Sequence, residues 1–288
     1  MRIFAEMKSD KLKYLVGMLL LLFCVNAEAQ FKIYTKKSRL SDFPAKTTMV
    51  VLSGNELLDI AIKNEIKSRW RVSPFDFCSR EELAEVKKSP LYYVLYLTEE
   101  NSSLIYLNLE KCGDKESLSS MNSRMNVLKL PLSPKDFSTG REISYLSAMI
   151  DIMQHYVESA ILHDQVVYMN LKQFSGPLSK GKKKSLYIAR EDLSIAGRDS
   201  IPSPGNGLVY TDSFTVDSLF NASSPEALIA FCISSNEPSA RSESIQIIVS
   251  ADRHELLYYK KNKYKKAGQR GFSSKDLKAI KSEHNYKK

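Results

Sequence analysis

Leu91–Leu109 reads LYYVLYLTEENSSLIYLNL, and this stretch decides the fold class. Two apolar runs, Leu91 to Leu97 and Leu104 to Leu109, flank the polar link Thr98 to Ser103, the pattern of a β-hairpin. Upstream, Lys46 to Ser53 (KTTMVVLS) is a β-branched run ending in Gly54-Asn55, a turn that doubles as a helix N-cap. From Glu56 to Trp70, Leu58, Ile62 and Ile66 step by four with Leu57 and Ala61 beside them, which predicts an amphipathic helix with one buried stripe. Arg71 to Phe77 alternates towards a short strand. Ser79 with Glu82 is a capping box for a second helix that runs to about Lys88 and is stopped by Pro90. The order strand, helix, strand, helix, strand, strand predicts an α/β domain with a mixed sheet.

Downstream, Thr139 with Glu142 forms another capping box. The stripe Ile143, Leu146, Ile150, Met153, Val157 and Ile161 predicts one long helix lasting to about Met169. Gly176-Pro177 and the cluster Lys180 to Lys184 mark an exposed boundary. Beyond it, Leu208 to Ile233 lies alongside Arg71 to Leu97: a strand, a helix-like stretch, a proline (Pro225 against Pro90), then an apolar strand. A further apolar strand follows in each half, Leu104 to Leu109 and Ile245 to Val249. An internal duplication and the general likeness of α/β units both account for this. Ile245 to Ser250 and Leu256 to Tyr259 predict a terminal hairpin, and a short helix follows from Ser274 to about Ser282. The expected architecture is α/β: two similar subdomains of two or three layers with mixed sheets (30–138 and 185–288), linked by a long helix (139–171) and a basic loop (172–184).

The segment Trp70 to Phe77 (WRVSPFDF), between an amphipathic helix and a Ser-Arg-Glu-Glu helix start, resembles a segment of uncharacterised exported α/β proteins of Bacteroidetes-type bacteria. The hairpin and the Met- and His-containing helix after it are similar too, so the resemblance spans residues 47 to 165. It implies the fold and export, and carries no activity with it.

The first 29 residues have the form of a cleavable leader. Lys8, Lys11 and Lys13 precede the apolar run Leu15 to Val25, and Ala27-Glu28-Ala29 places small residues at a cleavage site. The run is 11 residues long, against about 20 for a helix that spans a bilayer. The expectation is a mature chain from Gln30 with no transmembrane segment, in the periplasm or at the cell surface. Cys78, Cys112 and Cys232 then remain. They read as buried thiols, with a Cys78–Cys112 disulfide as the alternative that an oxidising compartment permits.

No motif for chemistry survives inspection. Gly176 to Lys183 (GPLSKGKK) follows the phosphate-loop pattern until Lys183 stands where a hydroxyl should bind magnesium, and it precedes a strand instead of a helix. His155, His163, His254 and His284 include no pair at metal-ligand spacing. Ser179 and Lys182 have the Ser-x-x-Lys spacing without companion motifs. No cofactor, catalytic or metal-binding residue is assigned. Charge is more informative: residues 260–288 hold eleven basic and two acidic side chains, whereas residues 30–259 are nearly neutral. Lys260, Lys261, Lys263, Lys265, Lys266, Arg270, Lys275 and Lys278 are therefore the candidates for contact with an anionic surface, lipid or lipopolysaccharide, ahead of nucleic acid. Such residues also protect a sheet edge. The functional expectation is an exported, non-enzymatic binding or envelope-accessory protein for an unknown ligand or envelope partner. A hydrolase with dispersed Ser, His and Asp, and a protein that grips anionic surfaces through its basic C-terminal segment, are the alternatives.

Overall fold

The computed structural model describes residues 40–100, 102–113, 126–135, 140–163, 166, 170–175, 178, 184–194, 203–205, 207–235, 237–239 and 241–284. The first 29 residues, expected to be a leader, Thr139 of the second capping box, and all of the phosphate-loop-like segment except Leu178 lie outside the described residues.

The first half builds strands β1 (Thr47–Val51), β2 (Phe75–Cys78), β3 (Tyr92–Glu99), β4 (Leu104–Lys111) and β5 (Asn126–Pro134). Helices α1 (Glu56–Arg69) and α2 (Leu83–Val86) make the two crossovers that parallel strands require. The order is β2-β1-β3-β4-β5, parallel among the first three and antiparallel afterwards. Helix α1 begins where expected: Asn55 accepts from the Leu58 N–H at 3.2 Å, and Leu58, Ile62 and Ile66 form its buried stripe. Trp70 closes it, 1% exposed, donating its indole N–H to Ser73 Oγ at 3.0 Å. Helix α2 is shorter than its capping box suggested, although Glu82 does accept from the Ser79 N–H at 2.7 Å.

Two helical pieces link the halves, α3 (Arg141–Ser144) and α4 (Leu146–Leu162). The expected helix over 139–171 is thus interrupted at Tyr145. The ring of Tyr145 stacks on Phe231, 4.0 Å between centroids, so packing against the second half holds the break.

The second half contains β6 (Ser185–Ala189), β7 (Leu208–Thr211), α5 (Ser213–Asn221), β8 (Ala227–Ser234), β9 (Glu243–Ser250), β10 (Leu256–Lys263) and α6 (Ser274–His284). Its order, β7-β6-β8-β9-β10, has the same sense as the first sheet strand for strand. The stagger matches as well. Thr47 pairs with Tyr92 and Thr48 with Phe75, as Ser185 pairs with Ala227 and Leu186 with Leu208. Tyr93 opposes Lys111 and Glu99 opposes Ile105, as Leu228 opposes Ser250 and Ser234 opposes Ser244. Five residues separate the last pair in the first hairpin and nine in the second, so the second loop is longer.

One apolar core takes in a face of each sheet together with α1, α4 and α5, from Val50, Leu95 and Leu128 to Ile229, Phe231 and Ile247. The other face of the second sheet is covered by Leu277 and Ile280 of α6. Cys78, Cys112, Val51 and Val94 form a smaller cluster on the other face of the first sheet, with Leu83 and Val86 of α2 against it. All three cysteines are free. β1 and β3 lie hydrogen-bonded between the strand of Cys78 and the end of β4 that leads to Cys112. Three strand spacings of about 4.8 Å exceed the Cα separation of roughly 7 Å that a disulfide tolerates, so the fold does not present the Cys78–Cys112 pair for bridging. Burial pushes their thiols up to about 11 and about 12, which makes them poor nucleophiles.

Candidate functional site

The eight basic residues singled out from the sequence do not form a free tail. Lys260, Lys261 and Lys263 lie on β10, which continues past Tyr259, and Lys275 and Lys278 lie on α6. Successive strand residues face opposite ways, so these lysines divide. Lys260 turns towards α6 and pairs with the buried Asp276 carboxylate, a structural commitment. Lys261 reaches Glu243 at 2.7 Å. Lys263, Lys265, Lys266, Arg270, Lys275 and Lys278 are exposed.

Lys261 and Lys263 line a cleft of about 300 Å³ at the seam between the two sheets. From the first half come Glu100, Ser102, Tyr106 and Lys129; from the second come Arg241, Glu243 and Tyr259. Four cations thus meet two carboxylates. Lys129 is paired with Glu100 and Lys261 with Glu243, whereas the side chains of Arg241 and Lys263 have no partner among the described residues. The Tyr106 ring lies between the two paired lysines, 4.5 Å from Lys129 Nζ and 5.8 Å from Lys261 Nζ, and its hydroxyl donates to Glu243 at 2.8 Å. Burial alone would raise the Glu243 carboxyl, but the bonds from Lys261 and Tyr106 outweigh it and hold its pKa below the ordinary value. The Ser102 hydroxyl is buried near Glu243 and makes no well-directed hydrogen bond, while its carbonyl accepts from the Ser235 hydroxyl of the other half.

Lys129 and Arg241 were not among the sequence candidates. Lys129 sits in an apolar strand far from the basic C-terminal segment, and Arg241 belongs to the longer β8–β9 loop. No local pattern distinguishes either from a solvated surface cation.

The dispersed Ser, His and Asp of a hydrolase are only partly brought together. His254 Nδ1 bonds Asp151 Oδ2 at 2.7 Å, but the histidine is 5% exposed and stacked on Phe220, and its ring bonds no serine hydroxyl among the described residues. Asp151 also accepts from Arg69 at 2.7 Å, so the carboxylate ties α1 of the first half to the β9–β10 turn of the second. Arg141, Asp217, Asp192 and Tyr145 form a second polar cluster, in which Arg141 reaches Asp192 at 3.1 Å and Tyr145 donates to Asp217 at 2.5 Å. Burial pushes the Asp192 carboxyl up to about 6 against the pull of Arg141. His155 and His163 are exposed. Among the described residues no three His, Cys, Asp or Glu side chains group as metal ligands, and no helix is long and apolar enough to cross a membrane.

Comparison with protein-family models, with curated proteins and with solved structures finds no match to the chain.

Proposed function

We propose that the protein is an exported, non-enzymatic binding module of the cell envelope that holds a phosphate-bearing anionic group in the seam cleft. The observation that carries this proposal is the excess of cations there, with Arg241 and Lys263 unpaired and aligned with a cleft open to solvent. Paired lysines have already met their Coulombic need; unpaired ones beside them raise the local positive potential that draws an anion in. The leader ending at Ala29 supports placement at the envelope, where phosphorylated lipid headgroups are the abundant anions. The matching order, sense and stagger of the two sheets support an origin by duplication, with the longer second loop supplying Arg241.

The test is calorimetric titration with phosphatidylglycerol vesicles, with lipopolysaccharide and with soluble pyrophosphate at low and high salt. Arg241→Ala/Lys263→Ala should weaken binding of the preferred anion at least tenfold and flatten its salt dependence, with folding stability unchanged because both side chains are exposed. Preference for vesicles over pyrophosphate identifies a membrane-borne headgroup. Equal binding by the double variant, or none by the native chain, overturns the proposal. Truncation after Tyr259 is not a clean alternative, since it cuts β10 in half.

A further inference from the structure

The mouth of the seam cleft leads onto a second cationic feature, the turn that follows β10. Arg241 and Lys263 stand at the cleft, and the Tyr264 N–H donates to the Ser242 carbonyl at 3.2 Å, so the β8–β9 loop and the chain beyond Lys263 lie side by side. Residues 235–242 and 263–272 together carry Arg241, Lys263, Lys265, Lys266 and Arg270 against one carboxylate, Glu237. All five cations are exposed, and none has an ion-pair partner among the described residues.

The turn is pinned to the body of the protein. Tyr264, 3% exposed, donates its hydroxyl to the Ser235 carbonyl. The Gln269 side-chain oxygen accepts from the backbone N–H groups of Lys265 and Lys266 at 3.2 Å and 3.3 Å, and the Ser194 hydroxyl donates to the Gly268 carbonyl at 2.7 Å. Gly271 packs so closely on Asp192 that any side chain would strike its carbonyl, and Phe272 beyond it is buried. Charges on a fixed turn give up less backbone entropy on binding than charges on a loose tail.

The placement of the charges selects the partner. A cleft of about 300 Å³ admits one small anion at Arg241 and Lys263, and Lys265, Lys266 and Arg270 do not line it. Those three need phosphates of their own, which a bilayer or a nucleic acid offers as an array. A single-stranded nucleic acid is held by stacked aromatic side chains as well as by phosphate contacts, yet Tyr264 and Phe272 are buried. No exposed large apolar side chain falls between residues 235 and 272 among the described residues, so contact with a bilayer stays at the level of the headgroups.

We infer that the turn after β10 is a docking surface for an anionic phospholipid bilayer, with Lys265, Lys266 and Arg270 resting on headgroup phosphates beside the one held in the seam cleft. The inference extends the seam-cleft reading by a second, separate contact, and the experiment tells the two apart.

Phosphatidylglycerol vesicles, phosphatidylcholine vesicles, single- and double-stranded oligonucleotides and pyrophosphate are each titrated into the native chain and into Lys265→Gln/Lys266→Gln/Arg270→Gln. A cation near an anionic bilayer contributes up to about fivefold in affinity, so the triple variant should bind phosphatidylglycerol vesicles at least about twentyfold more weakly at low salt. Pyrophosphate, which needs only the cleft, should bind both chains alike. Circular dichroism and the urea midpoint should stay native, since all three side chains are exposed. If the native chain binds the vesicles but not pyrophosphate, the cleft reading fails alone and the loss in the variant still establishes the docking surface. Four results overturn the inference: no vesicle binding by the native chain, equal vesicle binding by the variant, loss of pyrophosphate binding in the variant, or binding of phosphatidylcholine or an oligonucleotide as tight as that of phosphatidylglycerol. Should the triple variant not fold, Lys265→Gln/Lys266→Gln carries the same comparison.

Discussion

The acidity of a single carboxylate records what the fold has gathered around it. Asp42 accepts from Tyr93 at 2.6 Å, from Lys111 at 2.8 Å and from Lys46 at 2.7 Å. Burial alone would raise its pKa, but these three donors hold it down at about 2, against 3.8 for the free side chain. A carboxyl whose folded pKa is depressed contributes stability above its unfolded pKa, and that contribution disappears as pH falls through the folded value. Native stability should therefore drop between about pH 4 and about pH 2, and Asp42→Asn should flatten the drop in that window. Urea titrations of both proteins across the range measure the slopes; identical slopes would mean the three donors do not act on Asp42 in solution. Asp192 works in the opposite sense. Burial raises it to about 6, so its ionisation lowers stability as pH climbs from the free value towards 6, outside the Asp42 window.

At the scale of elements, α6 illustrates which parts of the structure were legible in the sequence. Its start is a reciprocal cap: the Ser273 N–H donates to Asp276 Oδ2 at 3.0 Å, and the Asp276 N–H donates to Ser273 Oγ at 3.2 Å. Asp276 is 3% exposed and also accepts from Gln246 Nε2 at 2.8 Å and from Lys260. Asp276→Ala removes the cap and takes one acceptor each from the buried Gln246 amide and the half-buried Lys260, so it should cost about 2–3 kcal/mol. A shift of the denaturation midpoint equivalent to less than about 0.5 kcal/mol, the size of an ordinary surface change, would refute the lock between β10 and α6. Strands and the α1 stripe could be read in advance because their apolar periodicity is local. The end of β10 could not, because Lys260, Lys261 and Lys263 look like a solvated tail until Asp276 and Glu243 are seen opposite them. The break at Tyr145 was equally hidden: the helical stripe runs through it, and the partners that hold the Tyr145 side chain, Phe231, Phe220 and Asp217, all come from the second half. The seam cleft was half legible, since Lys261 and Lys263 stand in a charge cluster whereas Lys129 and Arg241 are brought beside them only by the tertiary fold.

For the molecule as a whole, the decisive feature is that the two sheets share one core instead of owning one each. Two domains with separate cores can unfold in separate steps; a shared core makes the melting of one half expose the apolar face of the other, which favours a single transition. Polar contacts strengthen the coupling. Asp151 on α4 accepts from Arg69 at 2.7 Å and is bonded to His254 at 2.7 Å, so one carboxylate holds both halves to the helix between them. Its side chain is 15% exposed and that of Arg69 is 34% exposed, so solvent screens part of the attraction. Asp151→Ala should accordingly cost about 1–3 kcal/mol, chiefly by stranding the buried His254 ring beneath Phe220. Trp70, the only tryptophan, reports on the first half, and far-ultraviolet circular dichroism reports on both. In the native chain the two denaturation curves should coincide, and in Asp151→Ala both should shift together to lower urea. A curve for Trp70 that moves alone, leaving a second transition in the dichroism, would show that the halves stand independently and that the shared core does not couple them.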